Sequence, residues 1–295
     1  MGPRFSLVMT TTGRVEEVRR LLESLRSQTY KAFELIVVDQ SEGDEVEALC
    51  RGFSDLDITH TRAPRVGVSR ARNLGIPVAR GEIIAVPDDD CEYPEDLLAR
   101  VAGHLDTRPE VDGVTGVCKD RGTGRLSASR FDRNGGIVTP ANLWRRHVST
   151  TIFLRRRVCD AVGHFDARLG LGAEFGSGEE TDLMLRVLRA GFTVLYCPDL
   201  VVYHPDPVKR FDASATVRAY SYGVGAGAVL RKHACNRWGI RLLLAAVSLF
   251  IRPLGAGLAY SLLDRDRGRF HMAVLRGRVA GFIGYSAHPR RLRRG

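Results

Sequence analysis

Short apolar runs alternate with helical apolar patterns along the first two hundred residues of the chain. Four runs of the kind that forms buried strands occupy residues 5–10, 33–38, 58–61 and 82–86. Helices are predicted between them, where apolar residues recur every three or four positions, at residues 15–25, 44–53 and 69–79. This strict alternation predicts an α/β layer built on a mostly parallel sheet.

The same alternation predicts further elements up to about residue 205. Residues 94–118 are expected to form a helix, a strand and a second helix, and the polar, glycine-dotted segment 121–142 a loop. Strands are predicted at 151–154 and 193–196. A helix is predicted to begin at Glu179, where apolar residues again recur at helical spacing.

Polar side chains stand at the carboxyl ends of three predicted strands. Thr10 and Thr11 end the first strand, Asp39 ends the second, and Asp88–Asp90 follow the strand at 82–86. Ligands of parallel α/β sheets bind beyond the carboxyl ends of the strands. The sequence therefore predicts one ligand site at this end of the sheet.

The three consecutive aspartates, Asp88, Asp89 and Asp90, repel one another, and a divalent cation would relieve that repulsion. Mn²⁺ and Mg²⁺ prefer oxygen ligands, and Mg²⁺ is commonly held by one or two carboxylates together with substrate phosphates. The alternative is a solvated acidic turn that charges the start of the next helix, near Pro94. The apolar strand directly before the aspartates favours the metal site.

Two further features have both a chemical and a structural interpretation. Glu179 and Glu180 could supply a general base for an incoming hydroxyl. Ser177 and Glu180 also have the spacing of a helix capping box, and spacing alone favours the cap. His204, near the end of a predicted strand, is on its own more typical of a structural histidine than of a metal ligand.

Composition narrows the class of protein. The chain has 295 residues, of which 44% are hydrophobic and 26% charged, so a folded core is expected rather than disorder. The six cysteines are scattered without any CxxC pair, which favours reduced thiols over a disulfide framework or a zinc ribbon. The N-terminus lacks the apolar run of a signal peptide, so a cytoplasmic location is expected.

The positive charge is concentrated in the last third of the chain. Residues 206–295 contain 17 Lys and Arg against four Asp and Glu, and this asymmetry predicts a division into 1–205 and 206–295. Two uncharged stretches, 242–251 and 253–263, are interrupted by Arg252 and Pro253. A helix or helical hairpin lying on an anionic membrane is therefore expected rather than a full span.

Two alternatives to a membrane contact were weighed for this basic region. An ordinary amphipathic helical domain with a basic solvent face stays open. Nucleic acid is not expected as a partner, because aromatic residues are not interleaved with the arginines. The cluster Gly223, Gly225 and Gly227 follows no predicted strand, which favours close helix packing over a dinucleotide fingerprint.

With these pieces placed, residues 5 to about 205 resemble the family 2 glycosyltransferases. The resemblance is carried by the order and spacing of six motifs: Leu7-Val8-Met9-Thr10-Thr11, Leu35-Ile36-Val37-Val38-Asp39, Gly67-Val68-Ser69-Arg70-Ala71-Arg72-Asn73, Ala79-Arg80-Gly81-Glu82, Asp88-Asp89-Asp90 and Gly178-Glu179-Glu180-Thr181-Asp182-Leu183. It implies a GT-A fold, here with a C-terminal α-helical extension similar to the membrane-attached one of many bacterial members.

The resemblance also implies roles for individual residues. They are nucleotide contacts at Thr10, Thr11, Asp39, Arg70, Asn73, Asp88 and Asp89, metal ligation at Asp90, Asp88 and His204, and base catalysis at Glu180 or Glu179. The family's Glu-Asp pair is Glu179-Glu180 here, so the second carboxylate lies one methylene further out. Glu180 is the expected base.

The implied reaction is an inverting transfer of a sugar from a nucleotide-diphosphate-sugar, with uridine the expected base, to an acceptor hydroxyl. Mn²⁺ or Mg²⁺ is the expected cofactor. A glycan or lipid-linked acceptor, a role in bacterial cell-surface glycan or glycolipid synthesis and attachment to the inner face of the cell membrane are also expected. The alternatives are a catalytically silent membrane scaffold and a nucleotidyltransferase, which the single glycine at Gly13 after the first strand disfavours.

Overall fold

The computed structural model describes residues 2–127, 131–206, 210–234 and 239–286, with the backbone alone for 239–248. The chain forms two compact units. Met1–Asp166 with Leu183–Pro207 make the first, and Ala167–Asp182 with Val208–Gly295 make the second. The predicted boundary at residue 205 stays a prediction.

The first unit is built on an eight-stranded sheet with the order β3-β2-β1-β4-β7-β5-β8-β6. The strands are β1 Phe5–Thr11, β2 Phe33–Asp39, β3 Ile58–Arg62, β4 Ile83–Ala85, β5 Gly113–Lys119, β6 Gly136–Ile137, β7 Phe153–Arg155 and β8 Val194–Tyr203. The neighbours β3-β2-β1-β4 and the pair β5-β8 are parallel, whereas β7 and β6 run antiparallel to the strands beside them. The predicted α/β class is confirmed, with a mixed sheet.

Nine helices accompany the sheet in the described part of the chain. They are α1 Val15–Arg26, α2 Glu45–Gly52, α3 Val68–Gly75, α4 Leu97–Asp106, α5 Arg156–Val162, α6 Glu179–Arg189, α7 Ala213–Ala234, α8 Gly239–Leu263 and α9 Arg265–Gly284. Helix α6 starts in the second unit and ends in the first.

The sequence pattern accounts for the way helices cover the sheet. In α1, four buried apolar residues spaced three or four positions apart form one face, and acidic residues in the first turn suit the helix dipole. In α3, Gly75 lets the helix approach the sheet closely. A Cβ there would lie 2.5 Å from Val8 Cγ1 and 3.0 Å from Val38 Cγ2. The end of α3 is therefore fixed against β1 and β2.

Two predictions for the middle of the chain were wrong. Residues 94–118 contain one helix, α4, and one strand, β5, and a second helix does not form there because residues 113–118 are all buried as a strand. The strand predicted at 151–154 begins only at Phe153, since a 3-10 turn occupies Ser149–Thr151. Strand direction is absent from an apolar pattern, so the antiparallel β7 was not anticipated.

In the second unit, α7 and α9 pack through glycines, as predicted for the cluster Gly223, Gly225 and Gly227, although Gly225 faces Ser177 rather than α9. A Cβ on Gly227 would lie 2.0 Å from Arg278 O, and one on Gly281 would lie 1.9 Å from Val224 O. The backbones are thus in direct contact, as in other small-residue helix pairs. Helix α8 continues through Pro253 without a break. Within the described ranges, none of the helices combines the length and apolarity needed to cross a bilayer.

Candidate active site

Four of the predicted site residues meet at the carboxyl ends of three adjacent strands: Thr10, Thr11, Asp39 and Asp88. Thr11 on β1 lies directly opposite Asp39 on β2. On the other side of β1, Thr10 forms an isolated parallel bridge with Asp88, which extends the pairing of β1 with β4 beyond the last strand residue, Ala85. Strand pairing therefore brings these residues to one sheet edge, as their positions at strand ends predicted.

The three predicted metal ligands form a group. Asp88, Asp90 and His204 each offer one ligand atom, and these atoms lie within 4.8 Å of one another. Asp90 Oδ1 is buried and has no hydrogen-bond donor aligned with it, although His204 Nε2 is 3.2 Å away. A buried carboxylate oxygen without a hydrogen bond is costly unless a cation binds it. The group therefore fits a divalent ion.

The orientation of His204 supports the same interpretation. Its Nδ1 is 2.7 Å from Pro205 O, which makes Nδ1 the donor and leaves Nε2 directed at Asp90. Metal-bound histidines commonly donate their second ring nitrogen to a carbonyl in this way. Two carboxylates with one imidazole suit Mn²⁺ better than Mg²⁺, which prefers an all-oxygen shell.

The charges of Asp88, Asp90 and His204 act on one another. Burial lowers the pKa of His204, but Asp90 and Asp88 outweigh it and raise that pKa to about 9. Burial acts to raise the pKa of Asp90, yet His204 and Arg14 hold it at about 2. Without a metal, therefore, Asp90 is a carboxylate facing an imidazolium. A bound metal would take the place of the proton on His204 Nε2.

The middle aspartate faces Arg14, a residue that the sequence interpretation missed. Asp89 is 3% exposed, and both of its oxygens accept hydrogen bonds from the Arg14 guanidinium. A third nitrogen, Nη1, donates to Asp90 Oδ2 at 2.9 Å. The Thr11 hydroxyl also donates to Asp89, but burial predominates and raises the pKa of Asp89. The position of Arg14, three residues after the end of β1, was the available signal.

A second arginine, Arg72, holds Asp88. It is 1% exposed, and its Nη2 lies 2.7 Å from Asp88 Oδ1, while the Ser149 hydroxyl donates to Asp88 Oδ2 at 3.3 Å. The predicted nucleotide contact Arg70 is instead exposed on the surface of α3. Helical periodicity could have identified Arg72, because it shares the buried face of α3 with Ala71.

The other predicted contact on α3, Asn73, is bound to the backbone. Its Nδ2 donates to Phe165 O and its Oδ1 accepts from Phe165 N, both at 2.9 Å. The Arg72 guanidinium in turn lies over the Phe165 ring, with Arg72 Cζ 5.4 Å from the ring centroid. Asn73 therefore fixes the segment that supports Arg72, and nucleotide contact by Arg70 and Asn73 stays a prediction.

Asp39 is fully buried at the other end of the row. Its Oδ1 accepts from the Ser41 backbone N–H at 2.9 Å and from the Ser41 hydroxyl at 2.5 Å, and its Oδ2 is 3.0 Å from His60 Nε2. Burial acts to raise the pKa of Asp39, but the Ser41 and His60 contacts lower it overall. The carboxylate is thus kept ionised as a hydrogen-bond acceptor, and the sequence interpretation missed both partners.

The two candidate bases open helix α6 in the second unit. Glu180 is half-buried and accepts a hydrogen bond from the Thr181 hydroxyl at 3.1 Å, while Glu179 is buried. Asp182, also buried, binds His233 Nε2 and Lys232 Nζ, each at 2.8 Å. The start of α6 is therefore bound to the end of α7. Base catalysis by Glu180 or Glu179 stays a prediction.

Two other features of the first unit fit a donor less well. His104, Cys197 and Asp199 also lie close together, but Arg100 already neutralises Asp199 at 2.8 Å and burial raises the pKa of the Cys197 thiol to about 12. An apolar cavity beside Phe165 has a volume of about 20 Å³, which holds only about one water molecule. The sheet edge is the better candidate site.

Comparison with solved structures and curated proteins gives the class and then the family. A mannosyltransferase from Pyrobaculum calidifontis in complex with GDP-Man and Mn²⁺ matches with a TM-score of 0.67 and 17% identity, over 97% of this chain and 89% of that one. S. aureus TarS 1–349 in complex with UDP-GlcNAc matches with a TM-score of 0.59 and 15% identity, over 97% and 93%. These likenesses and the mixed sheet define a protein of the GT-A fold class.

The chain belongs to glycosyl transferase family 2, whose model matches residues 6–166. Among curated proteins, the succinoglycan biosynthesis protein ExoM of Rhizobium meliloti (strain 1021) is 25% identical over 285 residues, 91% of this chain and 88% of its own length. The protein is therefore a glycosyltransferase, as the sequence motifs predicted.

Proposed function

We propose that the protein transfers a sugar, with inversion, from a nucleotide-diphosphate-sugar to an acceptor hydroxyl with the help of Mn²⁺ or Mg²⁺. The observation that carries this proposal is the group formed by Asp88, Asp90 and His204, whose possible ligand atoms lie within 4.8 Å of one another. UDP-sugar is the proposed donor. Of the solved structures named above, one holds a guanosine donor and the other a uridine donor.

The residues have separate tasks in the proposed reaction. Asp39 and Thr11 bind the nucleoside side of the donor, and Asp88, Asp90 and His204 hold the metal. The metal supplies charge that stabilises the leaving diphosphate. Glu180 removes the proton from the acceptor hydroxyl while the oxygen of that hydroxyl attacks the anomeric carbon. The bond from the anomeric carbon to the diphosphate oxygen breaks, and the nucleoside diphosphate departs.

Donor binding is tested by thermal shift with UDP, GDP and dTDP, each with and without Mn²⁺. We expect one nucleoside diphosphate to stabilise the wild type in a metal-dependent manner, and Asp90→Asn to lose the metal dependence. Asp96→Asn is the matched control, because the Asp96 side chain is 53% exposed and pairs only with Arg100 among the described ion pairs. Absence of a shift with every nucleotide would favour the catalytically silent scaffold instead.

Base catalysis is tested separately. Glu180→Gln keeps the size of the side chain but removes its basicity, so it is expected to lower turnover by about 10²–10⁴-fold while nucleotide binding is retained. Glu110→Gln, at an exposed position of the first unit, is the control. Unchanged turnover in Glu180→Gln would exclude Glu180 as the base, and the same measurement on Glu179→Gln then tests the alternative.

We also propose that residues 206–295 attach the protein to an anionic membrane, where the acceptor is a lipid-linked or cell-surface glycan. On α8, Ile251, Leu254, Leu258 and Leu262 are exposed by 60, 42, 61 and 91% and lie at helical spacing on one face. The exposed Arg252 adjoins this apolar face. An apolar stripe with arginines beside it suits the surface of an anionic bilayer.

Vesicle sedimentation tests the attachment. Binding to vesicles with anionic phosphatidylglycerol is expected to exceed binding to neutral phosphatidylcholine vesicles, and Leu258→Glu is expected to weaken it. Leu126→Glu, at a 49% exposed leucine of the first unit, should bind as the wild type does. Equal binding by both variants would contradict the assignment of this face to the membrane.

A further inference from the structure

The guanidinium of Arg14 is fully committed to the acidic motif. Nε and Nη2 donate to the two oxygens of Asp89, and Nη1 donates to Asp90 Oδ2 at 2.9 Å. Asp89 is 3% exposed, so its charge has little access to water. Arg14 is therefore the cation that pairs with Asp89, and it shares Asp90 with His204.

The Arg14 contact and the proposed metal share the carboxylate of Asp90. Asp90 is shared, because its Oδ2 binds Arg14 while its Oδ1 faces His204 on the side of the proposed metal. A divalent ion on Asp90 and a guanidinium on the same carboxylate repel each other at a separation of a few ångströms, where screening by salt is weak. The contact between Arg14 and Asp90 must therefore weaken when a metal binds.

A new partner for Arg14 would arrive with the donor. The Arg14 side chain is 48% exposed and lies three residues after the end of β1, so it can turn towards a ligand at the sheet edge without disturbing the core. A diphosphate held by the metal would bring negative oxygens to this edge. Guanidinium groups bind phosphates with two parallel hydrogen bonds, as Arg14 now binds the carboxylate of Asp89.

We propose that Arg14 is a positioning residue that competes with the metal for the acidic motif and transfers its contact from Asp90 to the diphosphate of the donor. The metal alone then binds weakly, since it must displace a guanidinium, and the nucleoside diphosphate strengthens metal binding by accepting that guanidinium. This inference rests on the proposed function, because the diphosphate is that of the nucleotide-sugar. It makes metal and donor binding mutually dependent.

The test measures Mn²⁺ binding directly, through the electron paramagnetic resonance signal of free Mn²⁺, with and without UDP and, in parallel, GDP. Wild type is compared with Arg14→Gln, Arg14→Lys and the control Arg19→Gln, whose arginine forms an exposed pair with Glu16. Arg14→Gln is expected to bind Mn²⁺ alone at least tenfold more tightly. The factor by which the nucleotide improves Mn²⁺ affinity is expected to fall at least tenfold.

Arg14→Lys keeps the charge but not the paired hydrogen bonds, so its Mn²⁺ affinity is expected to stay near that of the wild type while the nucleotide effect is reduced. Mn²⁺ affinity or a nucleotide effect within twofold of wild type in Arg14→Gln would overturn the inference. If neither wild type nor Arg14→Gln binds Mn²⁺, the inference and the metal role both fail. If wild type binds Mn²⁺ but no nucleotide, the proposed function fails, and the Mn²⁺ affinities alone decide the competition.

Discussion

The contact between α7 and α9 predicts opposite effects for two glycine-to-alanine substitutions in the second unit. Gly281 lies in α9, where an added Cβ would be 1.9 Å from Val224 O, 2.7 Å from Val224 C and 3.0 Å from Ala228 N. All three atoms belong to the backbone of α7, so no side-chain rotation can relieve the overlap. Gly255 lies in α8, where an added Cβ meets no atom within 4 Å.

The expected magnitudes follow from these distances. Alanine gains about 1 kcal/mol over glycine in a helix interior, and at Gly255 this gain is unopposed. At Gly281 the helices must separate by about 1.5 Å to restore ordinary van der Waals contact, and overpacking of this kind costs about 1–3 kcal/mol or more. We expect Gly281→Ala to be net destabilising by up to about 2 kcal/mol, and Gly255→Ala to be stabilising by up to about 1 kcal/mol.

Urea unfolding followed by far-ultraviolet circular dichroism measures both variants against the wild type. Because the chain has two compact units, the transition is first tested for a single step, and the free energies are compared only if the slopes agree. A Gly281→Ala variant as stable as Gly255→Ala would refute the direct backbone contact. Loss of stability in both variants would show that the higher helix propensity of alanine does not stabilise α8.

Two further predictions concern the first unit. Burial acts to raise the pKa of Glu34, but hydrogen bonds from Ser6 and Arg80 lower it overall from the ordinary glutamate pKa of 4.5. The wild type should therefore have a larger free energy of unfolding than Glu34→Gln. This difference is expected in full above pH 4.5 and should become smaller below it. Denaturation at pH 7 and pH 3.5 checks this, and an advantage that grows in acid would contradict it. Asn73→Ala is expected to cost about 1–3 kcal/mol, because it removes both hydrogen bonds to the Phe165 backbone; thermal unfolding measures the loss, and a change below 0.5 kcal/mol, about the noise level of surface substitutions, would argue against that clamp.

The sequence was sufficient to predict the part of the site that strand ends determine. Thr11, Asp39 and Asp88 follow apolar runs, and parallel pairing necessarily brings such positions to one edge of the sheet. The cluster at Gly223 was likewise interpreted correctly, because small residues at close spacing on a helix permit only a close neighbour.

The sequence could point to Arg14 and Arg72 as candidates, but it could not pair them with particular aspartates. Arg14 and Arg72 bind the aspartates across 75 and 16 positions, and neither distance nor direction can be read from spacing in the chain. Arg70 is exposed and Arg72 is buried although they lie only two positions apart on the short helix α3. Which of them faces the core depends on how the helix is rotated about its axis. The antiparallel strand β7 was missed for a related reason, since an apolar run has no direction.

The strand order sets the distance between the two ends of the site. Asp39, Thr11 and Asp88 stand at the ends of β2, β1 and β4, which are consecutive neighbours in the sheet. Adjacent strands lie about 4.8 Å apart, so the two aspartates are separated by about 10 Å. Under the proposed function, Asp39 binds the nucleoside and Asp88 the metal-bound diphosphate, two strands apart. The two aspartates share no partner among the described contacts. A change of nucleobase preference, acting through His60 or Ser41, could therefore arise while the metal end of the row stays intact.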